Sequence, residues 1–375
     1  MHVHVNQAWS HLQFADIDSF QRRRRRDMLR DGRIFPTPSA FGKLSGATLF
    51  SVFQRTIGIV AATCCLAACC TGNSVHEEGS IDAMGSVISV VAYGDATDRV
   101  HAAVTQALDE ASRLDAMLSN YKPNSEWSEM NRGAASGPVH LSEELFALLQ
   151  TCLNFSRESE GAFDISVGPL MKVWGFYKGT GHMADHDELL SAMQSVGYKN
   201  VLLDARTRTV RFAKQGVELD PGGIGKGYAV DRMLEVLRRN GIRSGFISAG
   251  GSSIYALGAP PGEEGWPVKL DDPRHLSTPA AKICLRDESL STSGSYEKVF
   301  VADGRRWSHI MDPRTGLPAR GMLSVSVIAP KTIDSEAWAK PYFILGRVWA
   351  EQHRKRDFQI FMCEDRANEP CSWIK

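Results

Sequence analysis

From residue 85 the chain alternates β-branched residues with small or polar ones, GSVISVVA, which predicts a strand over 85–92. The period then lengthens. Val100, Val104, Ala107, Leu108, Ala111 and Leu114 recur at helical spacing and predict an amphipathic helix over 95–118. Residues 119–138, with Pro123, Asn124 and Gly133, read as a loop, and Ser142-Glu143-Glu144-Leu145 opens a helix over 142–159 with Ser142 as its N-cap. Residues 161–175 read as a loop, and 201–203 with 209–212 as a hairpin around Ala205-Arg206-Thr207. A glycine-rich turn over 218–227 runs into a helix over 228–240 that Gly241 ends. Strands follow over 244–249, 253–257, 281–286, 290–293, 298–301 and 323–329, then a helix over 336–351 and a strand over 358–363. Strands and helices intermix without strict βαβ alternation or internal repeat, so the expected class is α+β.

Ahead of this pattern, residues 57–68 read IGIVAATCCLAA, apolar and uncharged, with Arg55 before them. A membrane-crossing helix needs roughly 20 residues; this run has instead the length of a signal-peptide apolar region. Leu66-Ala67-Ala68-Cys69 follows, small residues ahead of a cysteine, and resembles the bacterial lipobox whose cysteine is acylated and becomes the new N-terminus. A buried core helix is the alternative, but no partner helix precedes the run and polar residues follow it at once. The expectation is a leader over 1–68, an acylated Cys69, a polar tether over 69–80, one domain over 81–363 and a tail over 364–375. Residues 1–51 make that leader very long, and Arg25-Arg26 lies too far from the apolar run for a twin-arginine signal. The implied location is the periplasmic side of a membrane, held by lipid.

Composition narrows the partners. The 375 residues carry 43 Lys plus Arg and 43 Asp plus Glu, so no net basic charge marks the chain for nucleic acid, and any phosphate must be met by local groups. Of eight cysteines, four crowd the end of the leader and four stand singly, with no zinc-finger spacing. Cys363 and Cys371 are either a disulfide or two thiols.

Three stretches carry candidate chemistry. Glu218-Leu-Asp-Pro-Gly-Gly-Ile-Gly-Lys-Gly-Tyr228 precedes a helix, where glycines admit a phosphate to the backbone, the helix N-terminus favours an anion and Lys226 adds charge. No Ser or Thr follows the lysine and no βαβ unit surrounds the turn, so it is neither a Walker A loop nor a Rossmann fingerprint. Ser308-His309-Ile310-Met311-Asp312-Pro313-Arg314-Thr315-Gly316-Leu317-Pro318 sets His309 and Asp312 in one fixed loop, suited to proton transfer or phosphate contact, though a polar surface turn has the same composition. Gly161-Ala162-Phe163-Asp164-Ile165-Ser166-Val167-Gly168-Pro169-Leu170 pairs small and aromatic residues with an acid, a grip for a planar ring and its polar edge.

Taken in order, these stretches resemble the FAD:protein FMN transferase family, often called the ApbE family. Further shared pieces are Ala83-Met84-Gly85-Ser86, Leu118-Ser119-Asn120-Tyr121, Ser248-Ala249-Gly250-Gly251 and Thr292-Ser293-Gly294-Ser295-Tyr296. The resemblance implies an enzyme that cleaves FAD and attaches FMN to a Thr or Ser of an exported acceptor protein, releasing AMP. It implies mixed sheets and helices in two closely packed subdomains, with FAD in the cleft between them. By motif position it assigns Met84, Tyr121, Ala162, Phe163, Asp164, Asp220, Lys226 and His309 to FAD, and His309, Asp312 and Lys226 to catalysis. It also implies magnesium on the pyrophosphate, with the Gly223 carbonyl, Asp334 and Glu336 as candidate ligands. One departure stands out: the family's Thr four residues after an Asp is missing, and Lys340 or Trp338 falls at its place. Either Lys340 supplies the cation's charge, or Glu336 or Asp334 still holds a metal. The rival to transfer is an FAD-binding protein or an FAD pyrophosphatase yielding FMN and AMP.

Overall fold

The structure, a computed structural model, describes residues 74–177, 179, 181–367 and 371–375. The expected leader, Cys69 and residues 70–73 lie outside the described residues.

In chain order the elements are β1 (Val75–Ala83), β2 (Ser86–Gly94), α1 (Thr97–Leu118), α2 (Glu126–Gly133), β3 (Val139–His140), α3 (Glu143–Glu158), α4 (Gly168–Val173), α5 (His186–Met193), β4 (Val201–Asp204), β5 (Thr209–Phe212) and α6 (Gly225–Arg239). Then come β6 (Ser244–Ala249), β7 (Ser253–Leu257), β8 (Trp266–Asp272), β9 (His275–Leu285), β10 (Glu288–Gly294), β11 (Val299–Ala302), β12 (Arg305–Ser308), β13 (Met311–Asp312), β14 (Leu317–Pro318), β15 (Met322–Ala329), α7 (Thr332–His353), β16 (Gln359–Glu364) and β17 (Ser372–Trp373). The class is α+β, as expected. One eight-stranded sheet, ordered β1-β2-β6-β7-β10-β15-β16-β17 and antiparallel at every step, forms the frame.

Three helices lie along that sheet. α1 packs on β1 and β2, α6 on β6 and β7, and α7 on β10 and β15. Between α1, α6 and the first strands a core forms around Ile88, Val90, Val104, Leu234 and Ile247. A second and larger core joins α2, α3 and α7 to β15 and β16 around Trp127, Leu145, Val325, Tyr342 and Ile360. Each such side chain, removed from water, contributes about 1.5–3 kcal/mol. Met84 packs against both cores.

Local chemistry places the element ends. Ser142 accepts the Leu145 N–H at 3.2 Å, the cap read from sequence. α6 closes on Gly241 at φ 76°, where Gly241 N–H bonds the Arg238 carbonyl and Ile242 N–H bonds that of Leu237. That pair of bonds is a Schellman closure with a buried Ile242 behind it.

The structure departs from sequence expectation in several places. Residues 75–80, read as tether, belong to β1, which pairs with β2 along its whole length. An edge strand with charged and small residues has too little apolar signal to be read as one. Within the expected loop 119–138, α2 forms because Ser125 caps it at the Ser128 N–H while Trp127 and Met130 are buried. α4 arises in the expected loop 161–175, with Pro169 in its first turn. The expected tail is part of the sheet: β17 pairs with β16, Ile374 is buried, and Cys363 and Cys371 are joined as a disulfide. α7 carries a break at Gly346, φ 78°.

Candidate active site

α6 and α7 meet at their N-terminal ends, and the site grows from that contact. A Cβ on Gly227 would lie 2.5 Å from the Thr332 carbonyl oxygen, so only glycine allows the approach. The Gly227 N–H donates to Glu336 Oε2. In return, Asp231 on α6 accepts the Thr332 and Ile333 N–H groups of α7 at 2.8 and 2.9 Å. Neither helix has a side-chain cap from its own preceding residue. Each is capped by a carboxylate of the other.

This exchange brings two lysines within electrostatic reach of one another. Lys226 precedes Gly227, and Lys340 lies one turn after Glu336. Lys226 Nζ bonds the Ser252 hydroxyl at the turn after β6. Lys340 Nζ donates to the Glu336 carbonyl at 2.9 Å and lies 3.8 Å from its Oε1. The Lys340 Cε comes within 3.6 Å of the space a Cβ would fill on Gly223. Burial pushes the Lys340 ammonium below its ordinary pKa, Glu336 opposes that shift, and Lys226 reinforces it.

His309 enters from the loop after β12. Its backbone N–H bonds the Lys298 carbonyl at 3.1 Å, and its ring meets Phe176 edge-on at 6.3 Å. The buried Nδ1 has no hydrogen-bond partner. Desolvation, with help from the Lys298 and Lys226 charges, lowers the imidazole pKa to about 4, against the opposing pull of Glu297. The ring is therefore neutral at ordinary pH.

On the other side, Asp220 caps the turn Pro221–Gly223 through the Gly222 N–H at 2.7 Å and takes Asn120 Nδ2 at 3.0 Å. Burial raises its carboxyl pKa. Tyr177 donates to the Asn120 carbonyl at 2.7 Å and Tyr121 to the Tyr177 carbonyl at 2.8 Å, while their rings stack 5.0 Å apart. Tyr121 is 63% exposed, so its ring offers area to a planar ligand. Met84 sits in the β1–β2 turn at φ 54°, held through its N–H by Asp115 at 2.7 Å; Asp115 also binds Lys122 beside Tyr121. A positive φ at so bulky a residue is strained backbone.

Other expected site residues are engaged in turns or packing, although Phe163 still reaches the glycine turn. Asp164 is buried, with Oδ1 accepting the Ser166 N–H and hydroxyl at 2.8 and 2.7 Å and Oδ2 the Tyr198 N–H at 2.6 Å. It ties two turns together rather than offering an edge to a flavin. Ala162 is buried behind it, and Phe163 packs edge-on against Phe155 with its rim beneath Gly223. Asp312 spends its carboxylate on Arg314, at 2.9 and 2.8 Å, and on the Arg314 N–H, which shapes the β13–β14 turn beyond His309. It organises the loop and is not positioned as a free acid or base. Asp334 is half-buried; the charges of Lys331, Glu158 and Lys355 act on it, and its own charge acts on Asp231.

Sequence reasoning missed Asp231, Tyr177 and the Glu297-Lys298 pair. Asp231 stands three residues beyond the quoted glycine-turn stretch, inside α6. Nothing local distinguished Tyr177 or Lys298.

A glycine turn opening a helix beside two lysines and an unpaired histidine defines a protein built to hold a phosphate-bearing ligand. Residues 84–361 match the ApbE family model, and the chain belongs to that family. It is 32% identical over 308 residues to the FAD:protein FMN transferase of Treponema pallidum, covering 77% of this chain and 85% of that one. An FAD:protein FMN transferase of Klebsiella pneumoniae is 31% identical over 279 residues, 73% of this chain and 84% of its own. Among solved structures, the ApbE protein of Thermotoga maritima aligns with a TM-score of 0.72 at 29% identity, covering 78% of this chain and 95% of that one. The apo flavinyl transferase ApbE of Pseudomonas stutzeri, 24% identical, shares the fold with a TM-score of 0.71 over 80% of this chain and 95% of that one.

Two outcomes follow from the geometry. Asp164→Ala leaves three buried donors unpaired and should cost about 1–3 kcal/mol for each left unsatisfied; denaturant unfolding should register the loss while the FAD dissociation constant stays unchanged. A large loss of FAD affinity in a fully stable variant would return Asp164 to the binding surface. For His309, the folded pKa lies below the ordinary 6.5, so the unfolded chain binds more protons between pH 6.5 and about 4. Stability should therefore fall as pH drops through that window, and His309→Gln should flatten the fall; identical slopes for the two proteins would refute the buried neutral ring.

Proposed function

We propose that this chain is an FAD:protein FMN transferase, which cleaves FAD, joins FMN through a phosphoester to a Thr or Ser of an acceptor protein and releases AMP. The observation that carries the reading is the pair Lys226 and Lys340 on the two helices that meet at Gly227, with His309, its Nδ1 bare, within electrostatic reach of Lys226. The relatives named for this activity match most of the chain.

In the transfer, the acceptor oxygen bonds to the FMN phosphorus, and the bridging P–O bond breaks with its electron pair leaving on AMP. The hydroxyl proton must pass to a base. His309 suits that role because it is neutral, and a pyrophosphate nearby raises the proton affinity of the ring. Lys226 and Lys340 oppose the charge that builds on the leaving phosphate. The stacked Tyr121 and Tyr177 suit one of the two planar ring systems of FAD. Asp220 and Met84 hold the two turns that flank this space.

Magnesium, implied by family resemblance, finds a poor fit. Glu336 gives one oxygen to Gly227 and faces an ammonium with the other, and no hydrogen bond or ion pair joins Asp334 to Glu336 or Lys340 among the described residues. Among the described residues no three His, Cys, Asp or Glu side chains gather as a metal site.

Export with a lipid on Cys69 belongs to the same reading, supported by the apolar run ending in Leu-Ala-Ala-Cys. The Cys363–Cys371 disulfide is of a kind that persists in oxidising compartments. Among the described residues no helix is long and apolar enough to cross a membrane. The acceptor would then be another exported protein.

Incubation with FAD and candidate acceptors should add the mass of FMN to an acceptor and release AMP in equal amount. AMP without any acceptor gain would favour the pyrophosphatase. Lys226→Ala should weaken FAD binding and leave riboflavin affinity nearly unchanged; equal losses would remove Lys226 from the phosphate. Mass spectrometry of membrane-extracted protein should find an acylated N-terminal Cys69, and an unmodified peptide spanning Ala68 and Cys69 would refute the anchor.

A further inference from the structure

We propose that Lys340 is a resident cation of the transfer site, so that this chain binds and cleaves the FAD pyrophosphate without a divalent metal. The inference rests on the transferase reading for its substrate and on the α6–α7 contact for its geometry.

The space in front of Gly223 is where the argument turns. Gly223 lies in the turn that Asp220 caps, and the nearest side-chain atoms to a Cβ there are Lys340 Cε and Phe163 Cε2, both at 3.6 Å. A cationic stem thus lies directly over the backbone that the glycine motif leaves bare. The ammonium is anchored at 2.9 Å by the Glu336 carbonyl, which leaves its remaining protons for a ligand. Glu336 is the carboxylate paired with Lys340, while Glu297 acts on the lysine through its charge, and Glu336 is committed: Oε2 caps α6, and Oε1 balances the lysine. A divalent ion here would face one shared oxygen and a fixed positive charge. Magnesium favours near-octahedral oxygen surroundings, and this neighbourhood opposes them.

The charge count agrees. Lys340 and Lys226 stand against Glu336, and Lys298 against Glu297, a surplus of one positive charge that offsets part of the two negative charges of an ionised pyrophosphate. An ammonium is a point charge with rotatable donors, so it can follow the phosphate as charge moves toward AMP. It cannot chelate two oxygens as a metal does. Lys226, held by Ser252 and within electrostatic reach of Lys340, supplies the second contact.

The test uses the full chain purified in EDTA. FAD affinity, read by flavin fluorescence, and AMP release with an acceptor should both be the same in EDTA and in saturating magnesium. Calorimetry with magnesium alone should give no binding heat. Lys340→Met should weaken FAD by about tenfold, the effect of one lost charge-assisted contact, while Lys340→Arg keeps most of the affinity and controls for folding. Lys340→Thr should make FAD affinity rise with magnesium. FAD binding by the native chain that collapses in EDTA and returns with magnesium would overturn the proposal, as would full FAD affinity in Lys340→Met. A chain that binds FAD through Lys340 regardless of EDTA, yet never flavinylates an acceptor, would sustain the resident cation and sink the transferase reading instead.

Discussion

The exchange of carboxylates between α6 and α7 is the contact on which the rest of the site depends. Helix N-termini leave N–H groups without intrahelical partners, and buried donors left bare cost about 1–3 kcal/mol each. Here Asp231 serves α7 and Glu336 serves α6, so neither helix end is satisfied without the other. The bonds require the backbones to touch at Gly227, and that approach sets the distance between α6 and α7. The sheet beneath, with α6 on β6 and β7 and α7 on β10 and β15, keeps the two helices in register.

From this contact the functional groups follow by simple offsets. Lys226 is one residue before the touching glycine, and Lys340 is one turn after the capping glutamate. Two cations that would repel in an open chain are held near one another because the helices that carry them are packed for other reasons. The low-dielectric surroundings that depress the Lys340 and His309 pKa values also strengthen what those groups can do to a phosphate. The buried imidazole nitrogen without a partner carries a folding cost that the packing around it has to outweigh.

The acids divide into two kinds. Asp164, Asp312 and Asp231 spend their oxygens on backbone N–H groups or an arginine, and their work is to hold turns and helix ends in place. Asp220 stands between, capping the glycine turn while linking through Asn120 to the stacked tyrosines. An acid inside a recognisable motif is thus as often a scaffold group as a reacting one, because short polar side chains near glycine turns find backbone donors first. In a site that manages a pyrophosphate this is physically reasonable, since a free carboxylate would repel the ligand.

Much of the fold was legible in the chain. The long helices α1, α3 and α6 have strong apolar periods and clear ends, and β2, β6, β7 and β15 have β-branched runs. Those signals are local and therefore visible. β1, α2, α4 and β17 escaped because their stability comes from a neighbouring strand, a buried tryptophan, a packed turn or a disulfide, none of which has a local signature. The motifs likewise named the segments that meet at the site, with Lys226, His309, Asp220 and Tyr121 among them. They did not say which atoms face the cleft. Asp164 and Asp312 have the residue type expected of a site acid, yet hydrogen bonds to turns decide their direction. Whether Lys340 or a metal-binding acid occupies the space before Gly223 was open in the chain alone. The packing of α7 against α6 commits Glu336 to a helix end and brings the Lys340 stem beside the bare backbone of Gly223, an arrangement that depends on contacts between distant segments and has no local signal in the chain.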